Sequence, residues 1–82
     1  MESQRVSILG VIVRARAAQR EAVAERIRAM PGADLAIDSG DGRMVVVIED
    51  AAARSAAETL ADIALWSNVL NTSLVYEHSE TA

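Results

Sequence analysis

The sequence predicts an α+β fold in which a four-stranded antiparallel sheet carries two helices on one face. Three observations predict it. Strand and helix signals alternate as strand-helix-strand-strand-helix-strand. The first and third strands are apolar on both of their alternating faces, which marks them as the central pair. Across all strands, one alternating set of residues is bulky and almost unbroken, while the other mixes β-branched residues with small and polar ones.

The first strand, Val6 to Ala15, places Leu9, Val11, Val13 and Ala15 on one face and Ile8, Gly10, Ile12 and Arg14 on the other. Met1 to Arg5 is polar and is expected to fray. A helix follows over Ala17 to Ala29, with Val23, Ile27 and Met30 recurring at helical spacing and Ala24 beside them. Pro31 stops it, because the residue before a proline is pushed out of the α region, and Gly32 supplies the turn. The second strand, Asp34 to Asp38, alternates strictly, with Leu35 and Ile37 facing the core and Asp34, Ala36 and Asp38 facing away. Its acidic side suits an edge.

Ser39-Gly40-Asp41-Gly42 carries the Asp-Gly signature of a hairpin turn. The third strand, Arg43 to Glu49, points Met44, Val46 and Ile48 one way and Arg43, Val45, Val47 and Glu49 the other. Asp50 is placed to cap a helix over Ala51 to Leu65, which buries Leu60, Ile63 and Ala64 together with Ala56 and Ala57. Trp66 reads as a lid on the end of the core. The fourth strand, Val69 to Glu77, presents Leu70, Thr72, Leu74 and Tyr76 to the core and Val69, Asn71, Ser73 and Val75 to the far side. His78 to Ala82 is a polar tail, expected to be disordered. No linker divides the chain, so residues 1–82 read as a single domain with an ordered core over about 6–78.

This order is the ferredoxin-like split βαβ plan. Right-handed crossovers put both helices on one face and give strand order 4-1-3-2. A chain of 82 residues covers one face of such a sheet and has little left for the other. The far face, with Ile8, Gly10, Ile12, Val45, Val47, Val69, Asn71, Ser73 and Val75, is therefore the candidate binding surface. Gly10, Asn71 and Ser73 are small enough to admit another backbone, and Asp38, Glu49 and Glu77 form a candidate acidic rim. Arg14 reads as a solvated strand end. A homodimer that stacks two such faces is the alternative use of the same surface.

Composition excludes most chemistry. There are no cysteines and one histidine, so a disulfide framework and a cysteine metal-carrier site are ruled out and no cofactor is implied. No phosphate-binding glycine motif occurs, and no serine has a histidine near enough to activate it. An enzyme is not expected. The net charge of −4 opposes nucleic-acid binding and suits a basic peptide. RNA-binding versions of this plan stack bases on sheet aromatics, and phenylalanine is absent. No run reaches the ~20 apolar residues of a membrane span. Arg5, the apolar Val6–Val13 and Ala15-Arg16-Ala17 mimic a cleavable export signal, but cleavage would delete the best strand.

Four segments also carry a family resemblance: Ser7-Ile-Leu-Gly-Val-Ile-Val-Arg-Ala, Met30-Pro-Gly-Ala-Asp-Leu-Ala-Ile, Gly42-Arg-Met-Val-Val-Val-Ile-Glu and Val69-Leu-Asn-Thr-Ser-Leu-Val-Tyr. In this order they resemble the NapD family, over Val6 to His78. Its members are cytoplasmic chaperones for the catalytic subunit of periplasmic nitrate reductase. The resemblance implies a ferredoxin-like, non-enzymatic protein. Its partner would be the precursor of that subunit, bound through its twin-arginine signal peptide, and binding would delay export until the cofactor is inserted. The family offers no compact motif to carry over residue by residue, so the surface is taken from the face assignment. The short Ser39–Gly42 turn and the small Gly10 and Asn71 depart from the pattern. The competing class is an ACT-like small-molecule sensing or dimerisation domain. It is disfavoured because Arg14-Ala-Arg-Ala-Ala, after the first strand, lacks the glycine such modules use to hold an amino acid.

Overall fold

Residues 5–81 are described by a computed structural model. Strand β1 (Arg5–Ala15) leads through a 3-10 turn at Ala17–Gln19 into α1 (Arg20–Arg28). Then come β2 (Ala33–Asp38), β3 (Arg43–Glu49), α2 (Ala56–Leu65) and β4 (Val69–Thr81). The sheet order is β2-β3-β1-β4, the predicted order read from the other edge, and every pairing is antiparallel. Of the predicted frayed leader, Met1–Gln4 lie outside the described residues, as does Ala82 of the predicted tail. The rest of that tail is strand: β4 continues to Thr81 because Ser7, Val6 and Arg5 of β1 extend far enough to pair with it.

One face of the sheet meets both helices. Leu9, Val11, Val13 and Ala15 of β1 join Met44, Val46 and Ile48 of β3 there, against Val23, Ala24 and Ile27 of α1 and Ala56 and Ile63 of α2. Ile27, Met44, Ile48 and Ile63 are fully buried, so the bulky residues of the two central strands form the core as expected. Leu70 and Leu74 of the edge strand β4, expected in the core, are instead half exposed because no helix reaches over them. Met30, Leu35, Leu60 and Trp66 pack around its margin, and the Arg26 guanidinium lies 4.2 Å from the Trp66 ring centroid. The stripe of α2 differs in detail. Thr59 is buried, whereas Ala57 and Ala64 are exposed. Gly32 after Pro31 and Gly42 of the hairpin adopt positive φ, 84° and 102°, as their turns require.

The start of α2 corrects the sequence reading. The helix begins at Ala56, and its N-cap is Ser55, whose hydroxyl accepts from the Glu58 amide while the Glu58 carboxylate accepts from the Ser55 amide. Residues 51–54 instead form a small bridged turn, closed by hydrogen bonds between Ala51 and Arg54, and Arg54 pairs with Asp62 of the helix. Asp50 still serves the helix from further away. Its Oδ1 accepts from the Ala56 amide at 2.7 Å, and its Oδ2 accepts from the Ser7 amide at 3.0 Å. The Asp50 amide returns a bond to the Ser7 carbonyl at 3.2 Å. One carboxylate thus ties β1, the end of β3 and the start of α2 together.

The Ala56 and Ser7 amides hold the Asp50 carboxyl below its ordinary value of 3.8. A lowered folded value means that the carboxylate's contribution is complete above that ordinary value and fades as pH falls through the lower, folded one. Asp50→Ala is therefore expected to lower the melting temperature near neutral pH. The gap from the parent chain should narrow as the pH is lowered from about 4. Thermal unfolding followed by circular dichroism across that range checks it, and a gap that widens in acid would contradict the role given to the carboxylate.

Candidate peptide-docking face

The face opposite the helices is built by register. Each cross-strand pair shares a side of the sheet, so the pairings lay out its surface in rows. At one end lie Arg43, Arg14 and Asn71, paired across β3, β1 and β4. The next row is Ile37, Val45, Ile12 and Ser73, from β2 to β4. The third is Asp34, Val47, Gly10 and Tyr76. The fourth is Glu49, Ile8 and His78. The four central apolar side chains, Ile8, Ile12, Val45 and Val47, are half-buried by their neighbours on the sheet alone. Both helices lie on the other side.

Ile8, Ile12, Val45, Val47, Asn71 and Ser73 therefore stand on the open face as predicted. Other predicted site residues do not, and one physical cause accounts for the main errors. The edge strands carry one-residue register shifts, each of which swaps the faces of all residues beyond it. In β4, Arg14 pairs with Asn71 but Ala15 pairs with Val69, leaving Leu70 as the extra residue. Val69 thus turns inward and is 9% exposed, part of the core rather than of the binding surface. A second shift, between Gly10 and Val11, leaves Val75 as the extra residue. Val75 is exposed at that shift and pairs with neither neighbour, so it sits at the margin rather than in a row of the face.

The same shift brings Tyr76 from its predicted core position to the open face, opposite Gly10, with 55% of its surface exposed. Its ring stacks with that of His78 at 6.4 Å between centroids. Gly10 is consequently buried. A β-carbon added there would lie 2.9 Å from Cβ of Tyr76. The space read as room for a foreign backbone is occupied by the chain's own tyrosine. In β2, a shift at Ala36 moves Ile37 to the open face, 56% exposed, and turns Asp38 toward the helix side, opposite Met44. Asp38 there accepts from the Gly40 amide at 3.0 Å, serving the turn. Glu77 pairs with Leu9 and so also belongs to the helix side.

Of the predicted acidic rim, only Glu49 borders the open face, and Asp34 joins it. Ile37 and Tyr76 are the surface residues that sequence reasoning missed, whereas Asp34 faces away from the core as its alternation requires. Gly10 was the available signal for Tyr76, since a glycine inside a strand marks close approach by a neighbour. No residue type flags the shift at Ala36. The open face thus does carry an aromatic, against expectation, but a single tyrosine beside Asp34 and Glu49 is a poor platform for a polyanion. Among the described residues no cluster of possible metal ligands forms, and no helix is long and apolar enough to cross a membrane.

Residues 6–81 match the model of the NapD protein family. This chain belongs to the NapD family. The NapD-like architecture is also seen in the solution structure of the E. coli Tat proofreading chaperone protein NapD. That structure superposes with a TM-score of 0.77 at 24% identity, covering 87% of this chain and 76% of the other. No curated protein matches the chain. The likeness is one of fold.

The overlap at Gly10 gives a direct check on the face as built. Gly10→Val is expected to displace Tyr76 and destabilise the domain by about 1–3 kcal/mol in urea unfolding. Combining it with Tyr76→Ala should return part of the loss, because the obstruction is gone. Additive losses in the double variant would place Tyr76 elsewhere.

Proposed function

We propose that this NapD-family chain is a cytoplasmic, non-enzymatic chaperone that binds the twin-arginine signal peptide of a precursor protein on the open face of its sheet. In line with the family, the precursor is the catalytic subunit of a periplasmic nitrate reductase. Occupation of the leader delays export until the cofactor has been inserted. The observation that carries the reading is the continuous apolar strip formed by Ile8, Ile12, Val45, Val47 and Ile37, which no element among the described residues covers.

Such a strip suits helix-in-groove recognition. An apolar stretch of the leader lies as a helix over the two central strands, and its arginines meet Glu49 and Asp34. Burial of a few hundred Å2 of apolar surface at ~25 cal/mol per Å2 contributes several kcal/mol, of which ordering the peptide consumes a large part. Moderate affinity follows, which fits a partner that must later release its cargo. Stacking of two open faces into a homodimer would compete for the same strip.

The ACT-like alternative is weakened by the segment after β1, where Ala17–Gln19 form a tight 3-10 turn without glycine. Calorimetry with a synthetic twin-arginine leader peptide and with free amino acids separates the two readings. Val47→Arg places a charge in the middle of the strip but leaves the core untouched. It is expected to weaken peptide binding by at least about tenfold while cooperative unfolding is retained. Normal titration by this variant, or heat from amino acids alone, would overturn the proposal.

A further inference from the structure

Resting on that reading, we propose that the open face also dictates the direction in which a helical leader lies. Its arginine-bearing N-terminus sits at the Glu49–Asp34 end, and its C-terminus sits at the Arg14–Arg43 end. The helix then runs in the same sense as β1.

The face is electrically bipolar. Glu49 opposite Ile8 and Asp34 opposite Val47 hold its acidic end. Arg14 and Arg43 stand directly opposite each other at the far end. Like charges in that relation repel. Among the described residues neither arginine has an ion-pair partner, and neither do Glu49 and Asp34. The Arg14–Arg43 juxtaposition contributes nothing visible to the fold, but it presents two unpaired cations beside an apolar strip.

The dimensions suit a helix. Ile8 and Arg14 are six residues apart in β1, which spans about 20 Å at ~3.3 Å per residue. That length is about thirteen residues of α-helix at ~1.5 Å per residue. It also exceeds the screening length of about 8 Å at physiological salt, so the two ends act as separate electrostatic sites.

Two effects then favour the same direction. The arginine pair of the leader precedes its apolar stretch, so the favoured orientation sets those cations against carboxylates. The helix itself carries partial positive charge at its N-terminus and partial negative charge at its C-terminus, where free carbonyls can accept from Arg14 and Arg43. The reverse orientation opposes cation to cation at one end and directs the carbonyl end at carboxylates at the other.

The test uses the full chain labelled with nitrogen-15 and a synthetic twin-arginine leader peptide bearing a nitroxide at either terminus. The N-terminal label should attenuate the amide signals of Ile8, Asp34 and Glu49, and the C-terminal label those of Arg14 and Arg43. In a variant with the ends exchanged, by Asp34→Lys, Glu49→Lys, Arg14→Glu and Arg43→Glu, the two patterns should trade places. Equal or reversed attenuation in the parent chain overturns the orientation while leaving docking intact. A pattern unmoved by the exchange overturns its electrostatic cause. Absence of any peptide-induced shift on the open face removes the docking reading, and the orientation with it.

Discussion

A sheet has two faces, and two helices of nine and ten residues cover one of them. The rest of the structure follows from that constraint. The central strands β1 and β3 are apolar on both sides, yet only Leu9, Val11, Val13, Met44, Val46 and Ile48 receive helices. Their alternate neighbours Ile8, Ile12, Val45 and Val47 gain partial burial only from residues beside them on the sheet. Apolar burial is the largest favourable term in folding. Under the proposed docking, a peptide that arrives with its own apolar stripe would supply the missing layer.

The covered side is held with few polar devices, and each is placed where elements meet. Asp50 accepts amides from both Ser7 and Ala56, so the N-terminal half of β1 and the start of α2 share one carboxylate. Ser55 and Glu58 close the first turn of α2 reciprocally. No buried side-chain polar atom among the described residues lacks a partner. The helix layer is therefore complete without help, and the open face can be polar at its ends and apolar at its centre without endangering the core.

The sequence made the element order, the strand order and the covered face legible because each rests on a period. In β1 and β3 the alternation is unbroken, so every residue from Ile8 to Arg14 and from Arg43 to Glu49 falls on the face that a period of two assigns. The edge strands were legible only up to their first irregularity. Val69, Tyr76, Ile37 and Asp38 all lie beyond a register shift, and each turned to the opposite side from the one alternation gives it. Leu70, Val75 and Ala36, the extra residues, are ordinary strand formers with no glycine to betray them. The start of α2 was misread for a related reason. Ala51-Ala-Ala has high helix propensity, but the Ser55–Glu58 box and the Asp50 bond to the Ala56 amide fix the start of the helix at Ala56, six residues beyond Asp50.

Placing the irregularities at the edges has a further consequence. A shift in β1 or β3 would turn the core set outward on the strand itself and break the helix layer. In β2 and β4 the same event disturbs one neighbour only. It also interrupts the regular ladder of an exposed strand edge, which discourages pairing with another sheet. The margins of the face are thereby free to change composition: the shifts bring Ile37 and Tyr76 into it, take Asp38 out, and withdraw Val69 to the core. The centre supplies a constant apolar strip set by two rigid strands, and the edges decide what surrounds it. Under the proposed docking, general affinity for an apolar helix and selectivity among such helices would be separable properties of one sheet, the first set by Ile8, Ile12, Val45 and Val47 and the second by residues whose position depends on a single extra residue in an edge strand.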